Sequence, residues 1–333
     1  MMEQKRGTQE ASKQNHSVQN PSSVQKKVRK RGPSPGWAAR ISAFSREQPR
    51  GSSSDKANLQ AVADCLKVPS RPGNHGVRAV INIPAVWVPS FCERSSEGRL
   101  PAYLNAYDRE ALGLVMGSKP EISRQRSVID LWLTTLHDQE PSQIYFAAVE
   151  LNGSGVGFFG DICLVLAPGQ IPTGTAILDR NSYNLFQEPF WTEIAGGKTE
   201  REKKTALRNI LGEISGTWGT DVGSMAAIKI VGSDAMRERR LTVGQISDGL
   251  LSDEDYMEVL KVGSFAVGDL EAGRLALADI VTEDQIERDY SNGQFAADHH
   301  HLLWAQQRRK AIAALRQAGV AVTSVRSSGR IKR

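Results

Sequence analysis

The sequence predicts an α+β domain, a mixed or antiparallel sheet with flanking helices, behind a disordered N-terminal arm. Two patterns carry that expectation. Apolar runs of strand length are interspersed with segments of helical period, so both element types contribute to one core. Residues 1–76, by contrast, are rich in Ser, Gln, Asn, Lys, Pro and Gly and hold too few large apolar side chains to offset chain entropy.

The expected organisation is a basic arm over 1–76, a single domain over 77–326 and a basic tail over 327–333. Within the arm, Leu59, Val62 and Leu66 fall at helical spacing. The domain opens with Val77 to Val88, a strand-like run broken by Pro84. Ser123 to His137 sets Val128, Leu131, Trp132 and Leu136 on one helical face. Gln143 to Leu151 and Gly160 to Ala167 read as strands, and Gly153, Gly155 and Gly157 between them suggest a hairpin or bulged turn. A third strand spans Thr175 to Asp179. Thr199 followed by Glu202 is a capping-box signature for a helix to about Ile214. Met225 to Val231 and Tyr256 to Val262 return to strand character. A last helix, about Gln294 to Ala318, closes at Gly319 and leads into Val320 to Val325. No internal repeat or heptad run is present.

The chain has 333 residues and a net charge of +5, but the charge is unevenly distributed. Residues 1–50 carry +8 and residues 308–333 carry +8, which leaves −11 for residues 51–307. Phosphate binding follows local Lys/Arg density, so overall basicity is no argument for a DNA-binding fold. The three cysteines, Cys65, Cys92 and Cys163, form neither a disulfide framework nor a CxxC pair. No apolar run is long enough to cross a bilayer and the N-terminus has no apolar leader segment. The expected location is therefore the cytoplasm of the producing cell.

Walker A, HExxH, GxSxG and paired CxxC motifs are all missing, which argues against ordinary NTPases, zincins and α/β hydrolases. Gly153, Gly155, Gly157 and Gly160 lead into a strand, so they offer no helix N-terminus to a phosphate. Asp298 and His301 have the i,i+3 spacing of a possible metal pair, but a solvated helix start is the favoured reading and no metal is expected. Cys163, inside an apolar run, reads as core.

Two segments carry a chemical constellation. The first runs from Phe158 through Gly160, Asp161 and Ile162 to Leu166, followed by Thr175 to Tyr183. The second is Asp255 to Gly263, followed by Leu277 to Ile280. Their order over residues 143–281 resembles the small split-sheet mono-ADP-ribosyltransferases, in which a strand pair carries a hydroxyl residue and a later strand brings a carboxylate to the NAD cleft. The resemblance implies NAD as a substrate, Glu258 and Ser182 as the catalytic pair, and Arg180, Tyr183 and Tyr256 as cofactor-binding residues. A fixed carboxylate suits this chemistry because breaking the nicotinamide–ribose bond develops an oxocarbenium-like cation. The family's early-strand arginine has no single counterpart: Arg78, Arg94 and Arg99 compete. Without the resemblance, Glu258 reads as one exposed residue of an alternating strand and Asp179 to Tyr183 as a capped turn.

Lys26, Lys27, Arg29, Lys30 and Arg31 form a dense basic cluster, followed by Gly32 to Pro35. Such a cluster suits nuclear import, nucleic-acid contact or an acidic membrane. An unfolded Ser/Gln-rich arm also suits a virulence effector delivered into a host cell, where a host protein is the acceptor and the nucleus a destination. The alternative functions are a nucleic-acid-associated protein using its basic ends, including Arg326, Arg330, Lys332 and Arg333, or a non-catalytic scaffold.

Overall fold

The computed structural model describes residues 36–47, 62, 65–68, 70, 71, 74, 76–114, 122–137, 139–187, 189–197, 199–231, 242–251, 255–293 and 299–326. The basic cluster of the arm, most of the 58–66 segment and the 327–333 tail lie outside these residues. The compact body begins earlier than residue 77. Helix α1 (Trp37–Glu47) buries Trp37, whose indole N–H donates to the Ser215 carbonyl over 2.7 Å. Val62 and Leu66 join the same core. The helical spacing of Leu59, Val62 and Leu66 was the one signal of this, and Trp37 stands too isolated in a polar stretch to add to it.

Strand β1 (Arg78–Ile83) ends at Pro84, and the chain turns through a 3-10 segment (Ala85–Trp87) into α2 (Val88–Ser96). The expected strand thus stops halfway, because proline cannot continue the ladder and is well placed just ahead of a helix. Helix α3 (Ala106–Ala111) is held by a capping box between Asn105 and Asp108. Helix α4 (Arg124–Leu133) starts at the Ser123 cap, but it buries Ile129, Asp130 and Leu133 rather than the expected face, of which Leu131 is exposed. Strands β2 (Ile144–Glu150), β3 (Ile162–Leu166) and β4 (Ala176–Leu178) follow the expected runs.

After a 3-10 turn (Ser182–Phe186) come α5 (Phe190–Ala195) and α6 (Glu200–Ile214), the latter with the expected Thr199–Glu202 capping box. Strand β5 (Ser215–Thr217) leads to α7 (Val222–Val231). This last element corrects the expected strand over Met225 to Val231. Val222, Met225, Ala226 and Ile230 are buried together at helical spacing, a period that a short apolar run does not display. Helix α8 (Val243–Leu250), strands β6 (Glu258–Val262) and β7 (Leu270–Ala276), helices α9 (Leu277–Ser291) and α10 (His299–Gln317), and strand β8 (Val322–Val325) complete the order. Gly319 takes a φ of +81° just past α10, the conformation expected of its helix-ending role.

Among the described residues, eight strands form one mixed sheet in the order β5-β4-β6-β2-β1-β3-β7-β8. All described pairings are antiparallel except β7 with β8, whose connection passes through α9 and α10. The sheet separates two cores by simple alternation. Ile177 and Val259 belong to one, while Leu178 and Leu260, their chain neighbours, belong to the other.

Strands β2 and β3 do not form the expected hairpin, since β1 lies between them. Their glycine-rich connection instead crosses β1 at close range. A β-carbon on Gly160 would sit 2.2 Å from the Ile83 backbone, and one on Gly155, at φ +70°, would sit 2.1 Å from Asn82 Oδ1. Asn82 fastens this crossing: its amide donates to the carbonyls of Ser154 at 2.9 Å and Gly160 at 3.0 Å, and its oxygen accepts from Val156 N–H at 2.8 Å. The glycines permit close approach to a strand.

Arg308 of α10 is fully buried. Its Nε donates to Glu283 Oε1 over 2.8 Å, and its Nη1 lies 3.1 Å from Asp279 Oδ2 and 3.2 Å from Asp161 Oδ2. Three carboxylates from β3's approach and α9 thus share one guanidinium. Asp161 also accepts from Ala85 N–H at 2.9 Å, which ties the cluster to the turn after β1.

Candidate functional site

Sheet register sets the floor of a cavity of about 430 Å3. Val80 pairs with Ala148, and Ala148 with Glu258, so these three side chains stand in a row on one face across β1, β2 and β6. Asn82 and Phe146, two residues along their strands, extend that floor. The walls come from Tyr107 and Arg109 of α3, Arg126 and Asp130 of α4, Tyr183 after β4, and Phe159 on the glycine-rich crossing. The volume lies within the range of about 300–1,000 Å3 typical of small-molecule sites.

At the inner end Glu258 is buried, and its Oε2 accepts the Ser182 backbone N–H at 3.1 Å. Arg126 Nη1 donates to Ser182 Oγ at 3.0 Å. Arg126 also forms an ion pair with Asp130, four residues on along α4. Asp130 is in turn fixed by the Tyr107 hydroxyl, which donates to Oδ2 at 2.9 Å. The guanidinium lies flat against the Phe146 ring at 3.8 Å from its centroid, with the Tyr183 ring at 5.3 Å. This stacking gives the planar cation a dry surface that an ammonium would not use as well.

Burial pushes the Glu258 carboxyl above its usual range, although the Arg126 charge and the Ser182 bonds oppose the shift. Tyr256, set beside it, is held well above the usual phenol range by burial and by the Glu258 charge. Burial also works against the Arg126 cation, but Glu258 and Asp130 outweigh it and raise its pKa. A buried acid, a shared guanidinium and aromatic walls can orient a ring-bearing ligand and stabilise positive charge developing beside the carboxyl.

The residues expected from sequence meet here to different degrees. Glu258, Tyr183 and Tyr256 line the cavity. Ser182 touches Glu258 and Arg126 but is fully buried, one layer behind Tyr183. Arg180 is not among the lining residues: it pairs with Asp179 at 2.6 Å and lies over the Phe190 ring at 4.8 Å. Of the competing early arginines, Arg78 is buried in a pair with Glu271, and Arg94 donates to the Pro101 carbonyl at 2.8 Å. Arg99 pairs with Glu97 at the surface. The cation facing Glu258 is Arg126, which sequence reasoning missed. Its spacing to Asp130 was the available signal, an i,i+4 pair on a helix whose apolar face alone was read.

Cys163 is buried, and burial pushes its thiol up to about 12, as suits a core residue. Asp298 lies outside the described residues, while His299 to His301 are exposed at the start of α10. Among the described residues no cluster of three His, Cys, Asp or Glu is arranged to hold a metal. None of their helices is long and apolar enough to cross a membrane. No family model, curated protein or solved structure matches the chain.

Proposed function

We propose that this cavity binds NAD and that the chain is an NAD-consuming ADP-ribosyltransferase-like enzyme acting on a protein acceptor, in keeping with a delivered effector. The observation that carries the reading is the meeting of Ser182 and Glu258, 76 residues apart, in one hydrogen-bonded site beside Tyr183, Tyr256 and Arg126. Residues on opposite faces of the sheet would have removed its basis.

In this reading the nicotinamide end lies among Tyr183, Tyr256 and Phe159, and the ribose sits against Glu258. The bond from ribose C1′ to the nicotinamide nitrogen breaks with its electron pair leaving on nicotinamide, and positive charge spreads over C1′ and the ring oxygen. The ionised Glu258 carboxylate stabilises that charge. An acceptor nucleophile then bonds to C1′ and its proton passes to solvent. Ser182 and Arg126 fix the carboxylate's position, and Arg109, the other arginine on the cavity wall, is the candidate for the phosphates.

The test is nicotinamide release from NAD by the full chain, with and without a cell lysate supplying acceptors. Turnover that falls at least about 100-fold in Glu258→Gln, with the fold retained, supports the reading. Absence of both NAD binding and turnover in the wild-type protein overturns it.

A further inference from the structure

The polar groups around Glu258 do not balance in charge. Arg126 directs its hydrogen bond to Ser182 and its ion pair to Asp130, which is 1 % exposed. Glu258, also 1 % exposed, is left with the Ser182 N–H and the neighbouring Tyr256 phenol. The other groups facing it are uncharged: Ser182 and Tyr183 from the turn after β4, and Ala148 and Phe146 from β2. Tyr107 from α3 reaches only Asp130. Arg109 lines the same cavity, is half-buried and donates to the Leu104 carbonyl at 2.7 Å. Two buried carboxylates therefore share one largely buried guanidinium. In a low-dielectric site the excess negative charge is removed either by a proton or by a cation brought from outside.

We propose that the cavity selects ligands carrying a positive charge beside Glu258, and that binding such a ligand expels the Glu258 proton to solvent. Resting on the NAD reading, the inference makes the oxidised dinucleotide, with its pyridinium ring, the accepted form. The reduced form, whose dihydropyridine ring is uncharged, is rejected. The same selectivity extends to a minimal pair, N-methylnicotinamide cation over neutral nicotinamide.

Calorimetric titration of the full chain with these four compounds, in buffers of different ionisation enthalpy between about pH 5 and pH 8, tests it. The expected result is release of close to one proton per cation bound where Glu258 is protonated, with affinity tightening towards tenfold per pH unit over that range. Oxidised dinucleotide and N-methylnicotinamide should bind at least about tenfold more tightly than their uncharged counterparts. Asp130→Asn, which leaves Arg126 to neutralise Glu258 alone, should abolish the proton release and shrink the preference, and it keeps the test open if Glu258→Gln does not fold. Equal affinity for both redox forms without buffer-dependent heat overturns the inference even where NAD is consumed, as does absence of binding by either cation. Proton-coupled binding of N-methylnicotinamide without any nicotinamide release from NAD upholds the inference and sinks the enzymatic reading.

Discussion

The Ser182 backbone N–H points at Glu258 Oε2 from 3.1 Å, although the two residues lie 76 positions apart, one in the turn after β4 and the other at the start of β6. That contact makes Glu258 a component of the fold as well as of the cavity. Its stability consequence is opposite in sign to its proposed role. A carboxyl whose folded pKa is raised binds its proton more tightly when folded, so the folded state loses stability as pH climbs above the unfolded carboxylate range. Glu258→Gln should therefore melt higher than the wild type, with the gap widening from about pH 5 to pH 8 in thermal scans. A gap that narrows with pH contradicts the assignment.

Removing the shared cation has the reverse effect. Arg126→Met leaves Asp130 and Glu258 buried without a counter-charge, at a cost of about 3–5 kcal/mol in urea unfolding. Arg126→Lys keeps the charge but loses the flat contact with Phe146 and one of two fixed donors, and should cost less stability while still weakening dinucleotide binding.

The crossing over β1 depends on one side chain. Asn82→Ala removes three hydrogen bonds to residues 154–160, worth about 1 kcal/mol each. Hydrogen exchange at the Val156 amide should accelerate by about tenfold or more, while amides in the middle of β2 change only with global stability. Unchanged protection at Val156 would show that the glycine-rich segment is held by other means.

Arg308→Leu probes the carboxylate cluster around α10. Asp279 and Glu283 are already raised by burial in spite of Arg308, so without it they can relieve their repulsion only by taking up protons. The destabilisation should be about 3–5 kcal/mol near pH 8 and distinctly smaller near pH 5. A loss independent of pH would assign the effect to packing alone.

Local signals read correctly from the sequence were those with a local cause. The Thr199–Glu202 cap, the Ser123-initiated helix and the runs Ile144–Glu150 and Ile162–Leu166 each follow from neighbouring residues. Met225 to Val231 was misread because a run buried nearly all round shows neither period clearly. The β2–β3 hairpin was misread because strand order is non-local: nothing between Glu150 and Ile162 reveals that β1 lies beneath. Glu258, Tyr183 and Tyr256, which line the cavity, were singled out through a family resemblance, whereas Arg126 comes from a helix 56 residues before Ser182 and is recognisable only once folded.

Strand β6 arrives late in the chain yet occupies the middle of the sheet, between β4 and β2. During synthesis, β2 and β4 therefore have no common partner until residues 258–262 have left the ribosome, and the cavity floor stays open until then. A nascent or truncated chain ending before β6 has every aromatic wall residue up to Tyr183 but lacks Glu258, and its β5–β4 pair is separated from β2, β1 and β3. The Glu258 carboxylate is thus the last of the cavity's polar groups to be supplied by the order of translation.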